Sequence, residues 1–140
     1  MHTDFNMLQT CDAKTLEPKR LLTYAQIDPQ LAGYGICAHP PKDRKRGLTF
    51  NYIISTDGVL SIFALDIRAK PASVVWKTAL PCKPCYIHSL AMTDKYVVFV
   101  RNVSVYQSLL PYRRKLRLIL FHKADTYGCQ RYDEANYGDT

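Results

Sequence analysis

Short strand-like segments separated by turn signals fill the middle of the sequence, and this pattern constrains the fold more than any other feature. Apolar or alternating patterns cover residues 50–55, 59–67, 73–78, 85–92 and 95–101. No helix of ten residues fits between these segments. Because successive strands joined by short turns pair with each other, the sequence predicts an all-β antiparallel meander, the unit of a barrel, a sandwich or a propeller blade.

The residues between the segments predict two hairpins. Asp57-Gly58 separates two apolar strands, and this pair suits a type I′ turn, in which both central residues need positive φ. Thr93-Asp94 separates the segments 85–92 and 95–101. A shorter strand over residues 35–39 is expected to stop at Pro40-Pro41, because proline has no amide hydrogen to donate to a ladder.

The two ends of the chain have weaker patterns. Residues 1–33 are polar and show no sustained apolar period, so we expect a covering segment with one or two short strands. Residues 112–123 combine basic and apolar side chains, and residues 132–140 have the composition of a frayed end.

Composition and charge exclude several classes of protein. With 140 residues, 47% of them hydrophobic, the chain is expected to form one folded domain rather than a disordered segment. The longest apolar run, 96–100, is far shorter than the ~18 residues of a membrane-spanning helix. No secretory signal is visible at the start, which predicts a cytoplasmic chain whose five cysteines are reduced thiols.

Two of the four histidines have comparable surroundings. His39 ends a predicted strand, and His88 lies within another, 49 residues later. That separation excludes a local chelate of the zinc-finger kind, so a shared metal would have to be assembled by the fold. From spacing alone, a hydrogen-bonded core histidine is the favoured interpretation of each.

The residues around these histidines resemble two motifs of the carotenoid cleavage oxygenase family. The segment 33–43 resembles its motif AHP-K-D-x-x-x-G, and the segment 85–99 resembles hHS-x-x-hT-x-x-Y-h-h-F, where h is apolar. Asp12 with Thr15-Leu16-Glu17 is similar to the D-x-x-TLE sequence ahead of the first motif. The resemblance covers about residues 4–102, in the order of the family.

This resemblance implies a seven-bladed β-propeller with one ferrous iron, Fe(2+), held by four histidines. His39 matches the first ligand and His88 the second. The implied activity is that of an oxidoreductase: O₂ cleaves a conjugated double bond of a carotenoid, an apocarotenoid or a stilbene into two carbonyl products. Neutral imidazoles suit Fe(II), and open coordination positions leave room for O₂. The family also holds some of these imidazoles with glutamates, and no position in this sequence matches them.

The length and the end of the chain depart from the family pattern. At ~40 to 45 residues per blade, the chain supplies about three blades, so we interpret it as part of a propeller that is incomplete or inactive on its own. Residues 121–128 resemble the motif of the third ligand, F-H-x-h-N-A-Y-E, only loosely. His122 is therefore a candidate third ligand, for which a surface histidine in a divergent basic tail, residues 103–140, is the favoured alternative.

Two alternatives outside the family remain open. The chain carries a net charge of +7, and the basic run 113–123 suits a non-enzymatic β module that binds RNA or anionic lipid. The same basic run could place the enzyme on a membrane surface, although a solvated face is the simpler interpretation. Binding of nucleic acid is disfavoured, because no recognised nucleic-acid-binding module accompanies the basic run. Cys82 and Cys85 form a lone C-x-x-C, for which a tight turn is favoured over a redox or zinc site.

Overall fold

A computed structural model describes residues 3–80, 83–104, 114–122 and 132–137. The chain divides into two compact units, Met1–Ser89 and Leu90–Thr140. The only helices in the described ranges are two 3₁₀ helices, Tyr24–Gln26 and Pro29–Leu31, and everything else of regular structure is antiparallel sheet. The predicted all-β class is therefore confirmed. None of the described helices is long and apolar enough to cross a membrane.

The first unit begins with a small hairpin. Strands β1 (Leu8–Cys11) and β2 (Pro18–Leu22) pair with a register irregularity at Thr10/Cys11. The Asp12 carboxylate accepts hydrogen bonds from the amides of Lys14 and Thr15 and so closes the connecting loop. These are the short strands expected in the covering segment.

A four-stranded meander forms the centre of the first unit. Its strands, in spatial and chain order, are β3 (Lys42–Asp43), β4 (Leu48–Ile54), β5 (Leu60–Asp66) and β6 (Ser73–Ala79). Four sequential antiparallel strands are the architecture of a propeller blade, although the described strands do not close a ring. The predicted β4–β5 hairpin and the strand over 73–78 are confirmed.

The turn between β4 and β5 differs from the predicted type I′ turn. The last strand pair is Ile54 with Leu60. The Gly58 amide donates to the Ser55 carbonyl, the Ser55 amide donates to the Val59 carbonyl, and Gly58 has φ +79°. This is a longer loop in which only the glycine is left-handed. The Asp57 side chain accepts from the Ser55 hydroxyl and the Val59 amide within it.

Both faces of the central strands are buried, which explains their nearly continuous apolar sequences. On one face, Tyr24 contacts Phe63 edge to face with ring centroids 5.1 Å apart. The 24–36 segment completes this core, whose buried members are Tyr24, Leu31, Ile36, Ile53, Phe63 and Leu65. The covering segment thus supplies apolar side chains that complete the core on this face of the meander.

The second unit contains another meander, with strands β7 (Ala91–Met92), β8 (Tyr96–Ser104), β9 (Arg114–His122) and β10 (Tyr132–Tyr137) in sequential order. One expectation for this region was wrong: residues 132–137, expected to belong to a frayed end, form β10. Most of the basic run lies on β9, which pairs with both β8 and β10. Mutual pairing of the strands overrides their weak individual patterns.

Candidate metal centre

Two imidazoles from distant parts of the sequence lie side by side in the first unit. The ring centroids of His39 and His88 are 4.8 Å apart, and the ring planes are inclined at 72°. The backbone of His39 forms a parallel bridge with Ser89, and the Ala38 amide donates to the His88 carbonyl at 3.2 Å. The fold therefore brings these two histidines together, while their role as metal ligands stays a prediction.

The separation of the rings suits two ligands of one ion. With metal–nitrogen bonds of about 2.1 Å, imidazoles on adjacent corners of a coordination sphere have ring centres about 4.7 Å apart. Both side chains are exposed, so an ion would have access to them. Within the described residues, no group of three or more His, Cys, Asp or Glu side chains forms a metal site. Imidazole is a donor type that suits Fe(II), and the two rings would supply only part of a ligand set.

Asp4 determines which nitrogen of His88 is available to a metal. Its carboxylate oxygens lie 2.9 and 3.2 Å from His88 Nδ1. Because a carboxylate only accepts, Nδ1 carries the proton and donates, which leaves the lone pair on Nε2. A carboxylate on the second ring nitrogen is the usual support of a metal-binding histidine, since it fixes the tautomer and the orientation of the ring.

Backbone pairing across three segments brings Asp4 to this position. The Ile36 amide donates to the Asp4 carbonyl at 3.1 Å, Phe5 pairs with Gly35, and Gly35 pairs with Ile54. Asp4 could not be predicted from the sequence, because 84 residues separate it from His88 and no local pattern links the two. The only available signal was its position as the single acid before Asp12.

Tyr86 adds a phenol beside the same ring. Its hydroxyl lies 3.1 Å from His88 Nδ1. A hydrogen bond with Asp4 raises the pKa of Tyr86, and desolvation acts in the same direction. The Tyr86 phenol therefore stays protonated and neutral beside the carboxylate.

Adjacent residues of β4 hold the backbone beside each histidine. The Asn51 side chain accepts from the Cys37 amide at 2.9 Å and donates to the Cys37 carbonyl at 3.2 Å. The Tyr52 hydroxyl accepts from the Ile87 amide at 3.2 Å. Desolvation raises the pKa of Tyr52 to about 12, so the phenol is neutral at physiological pH.

His88 lies in an irregular segment, and the predicted strand over 85–92 is wrong except at Ala91–Met92. Its backbone groups have partners outside any ladder. The Ile87 amide donates to the Tyr52 side chain, and the His88 carbonyl accepts from the Ala38 amide and from Cys37 Sγ. These bonds satisfy the main chain without a neighbouring strand.

The sequence analysis also named His122 and the two cysteines Cys82 and Cys85. His122 ends β9 in the second unit, where its backbone pairs with Tyr96, and its role as a third ligand stays a prediction. Cys82 lies outside the described residues, as does His2, the remaining histidine of the sequence, which belongs to no motif. Cys11, Cys37 and Cys85 are thiols, as expected.

Comparison with known proteins gives a consistent set of relatives. A family model described as retinal pigment epithelial membrane protein matches residues 1–126, which extends beyond the 4–102 range of the motifs. Torulene dioxygenase of Fusarium fujikuroi is 29% identical over 107 residues, which cover 74% of this chain and 18% of that protein. Carotenoid dioxygenase of Neurospora crassa is 28% identical over 99 residues, 69% of this chain and 16% of that protein. The chain thus spans less than a fifth of the length of these relatives.

Proposed function

The chain belongs to the carotenoid cleavage oxygenases, the family of the retinal pigment epithelial membrane protein model, and from this premise we propose that it supplies part of an iron site for oxidative cleavage of a carotenoid. The observation that carries the proposal is the pairing of His39 and His88 at a centroid distance of 4.8 Å. Neither residue is close to the other in sequence, so this pairing is a property of the fold.

The residues of this chain would act as ligands and as supports of ligands. His39 and His88 would hold the iron, His88 through Nε2, since its Nδ1 faces Asp4. Asp4 would keep the His88 ring in one tautomer. Ferrous iron, when bound, would supply the activation of O₂ for cleavage of a conjugated double bond into two carbonyl products. Ligands beyond this pair, with His122 as one candidate, would complete the site.

The substrate class follows from the relatives. Two of them are named torulene dioxygenase and carotenoid dioxygenase, which supports a carotenoid-type apolar substrate and O₂ for this chain. Because two imidazoles are half of a four-histidine ligand set, we propose that the chain has little or no cleavage activity by itself.

Iron binding tests the proposal directly. The purified chain is loaded anaerobically with Fe(II), desalted, and its bound iron is quantified beside a His39→Ala/His88→Ala double variant. We expect the double variant to lose most of the bound iron, and a His2→Ala variant, matched in residue type, to keep it. Equal iron in the chain and in the double variant would remove the basis for assigning these two ligands.

A second measurement addresses the reaction. The iron-loaded chain is incubated with a carotenoid in detergent under air, and the products are separated by chromatography. We expect no aldehyde above the level of the double variant. Stoichiometric formation of two carbonyl products that depends on His39 and His88 would contradict the inactive state and support the family chemistry.

A further inference from the structure

The side-chain amide of Asn51 has its whole hydrogen-bonding capacity in use inside the protein. Asn51 is completely buried. Its Oδ1 accepts from the Cys37 amide at 2.9 Å and from the Tyr52 amide at 2.8 Å. Its Nδ2 donates to the Cys37 carbonyl at 3.2 Å and to the Tyr24 hydroxyl at 3.3 Å. Two accepted and two donated bonds exhaust the main positions of a primary amide.

The bonds to Cys37 hold both peptide groups that flank its Cα atom. Cys37 offers an amide hydrogen and a carbonyl oxygen, so only one orientation of the Asn51 amide satisfies both. His39 follows two residues later. Holding Cys37 therefore fixes the main chain from which the His39 ring extends.

Tyr52 performs the corresponding task for the second histidine. Successive side chains of a strand point to opposite faces, so Tyr52 reaches the other side of the sheet from Asn51. There its hydroxyl accepts from the amide of Ile87, the residue before His88, at 3.2 Å. One dipeptide of β4 thus contacts the main chain beside both imidazoles.

We propose that Asn51 is a positioning residue that sets the separation of the His39 and His88 imidazoles, with Tyr52 as its counterpart on the opposite face. The inference rests on the proposed iron site, because metal binding is the reason to hold the two rings at a fixed distance. A merely structural Asn51 would stabilise the core and leave the arrangement of the rings in the folded protein unchanged.

The control for this proposal lies on the same strand. Thr49 is buried two residues before Asn51 and therefore faces the same side of β4. Its hydroxyl has no hydrogen-bond partner in the described part of the chain. Thr49→Val is nearly isosteric and changes a buried polar group of this face whose hydroxyl makes no hydrogen bond to the described parts of either histidine segment.

The first readout needs no metal. In the 140-residue chain, the nuclear Overhauser effect between ring protons of His39 and His88 is measured by NMR for wild type, Asn51→Leu, Asn51→Asp and Thr49→Val. We expect the effect to be lost in Asn51→Leu, weakened in Asn51→Asp, which keeps an acceptor for the Cys37 amide, and unchanged in Thr49→Val. Its full retention in folded Asn51→Leu, or its absence in wild type, would overturn the proposal. If Asn51→Leu does not fold, full retention in folded Asn51→Asp has the same meaning.

The second readout separates this proposal from the proposed function. Anaerobic titration with Fe(II) is expected to show a 10–100-fold weaker affinity in folded Asn51→Leu or Asn51→Asp, and less than a twofold change in Thr49→Val. If the His39→Ala/His88→Ala variant binds iron as well as wild type does, the proposed function is contradicted. Loss of the ring contact in the Asn51 variants would still support positioning in that case. An unchanged ring contact and iron affinity in these variants, with His-dependent iron in wild type, would overturn positioning alone.

Discussion

Two buried polar side chains on one face of β4 have opposite hydrogen-bonding states. Asn51 makes four bonds inside the protein, whereas the Thr49 hydroxyl is buried without a partner among the described residues. Burial of a polar group lowers stability unless its hydrogen bonds are replaced. The two positions therefore have opposite tolerance to apolar substitution, although both carry small polar residues in the sequence.

Thr49→Val is expected to raise the free energy of unfolding by about 1 kcal/mol, because it removes an unpaired buried hydroxyl and keeps the branched shape. Urea unfolding followed by circular dichroism measures the change. Thr49→Ser is the matched control: it keeps the hydroxyl, loses a methyl group, and should lower stability by about 1 kcal/mol. A destabilised Val variant would show that the hydroxyl has a partner.

Tyr52 predicts a pH dependence of stability at alkaline pH. Desolvation raises its pKa to about 12 in the folded protein, whereas an unfolded tyrosine titrates near 10. The folded state holds the proton more tightly, so this contribution is complete below pH 10 and is lost as the pH rises through 12. Between pH 9 and 11.5, wild type should lose on the order of 1–2 kcal/mol more than Tyr52→Phe.

Unfolding of both proteins at a series of pH values checks this expectation. At pH 8 the Tyr52→Phe variant should be less stable, by about 1 kcal/mol, because the Ile87 amide loses its acceptor. Parallel curves for the two proteins up to pH 11.5 would show that Tyr52 ionises normally in the folded state.

At the level of elements, the β4–β5 hairpin depends on one backbone conformation. Gly58 has φ +79°, and a Cβ there would meet nothing within 4 Å. The strain of a substituted residue at this position is therefore purely conformational. Gly58→Ala should lower the free energy of unfolding by about 1 kcal/mol, and Gly58→Asn by less, since asparagine tolerates the left-handed region. An equal loss in both variants by chemical denaturation would contradict this cause.

The elements that sequence patterns predicted are those whose pairing is local. β4, β5 and β6 follow each other through short turns, and their apolar patterns suffice to place them. The segment around His88 was misassigned, because an apolar pattern shows burial but does not show that the Ile87 amide bonds to a tyrosine side chain of another strand. Asp4 could not be found at all, since its contact with His88 depends on two intervening pairings.

At the level of the whole molecule, the candidate site exists only in the folded chain. Asp4, His39 and His88 come from three separated segments, and β4 bonds to the main chain near the two histidines, at Cys37 and Ile87. In the unfolded chain these residues are far apart, so a metal that needs both imidazoles binds the folded state preferentially. The motifs predicted His39 and His88 as candidate ligands. The Asp4 carboxylate and the contacts of β4 are visible only in the folded structure.

Ferrous iron should therefore stabilise the chain against unfolding. At a free concentration one hundred times the dissociation constant, binding to the folded state alone adds about 2.7 kcal/mol to the free energy of unfolding. Anaerobic thermal unfolding with and without Fe(II) measures the shift, which should vanish in the His39→Ala/His88→Ala variant. Mg²⁺ is the matched control, because it prefers oxygen ligands to imidazole. An equal shift of the unfolding temperature with Mg²⁺, or a shift that persists in the double variant, would show that the stabilising ion binds elsewhere on the protein. The paired imidazoles would then not be the iron ligands.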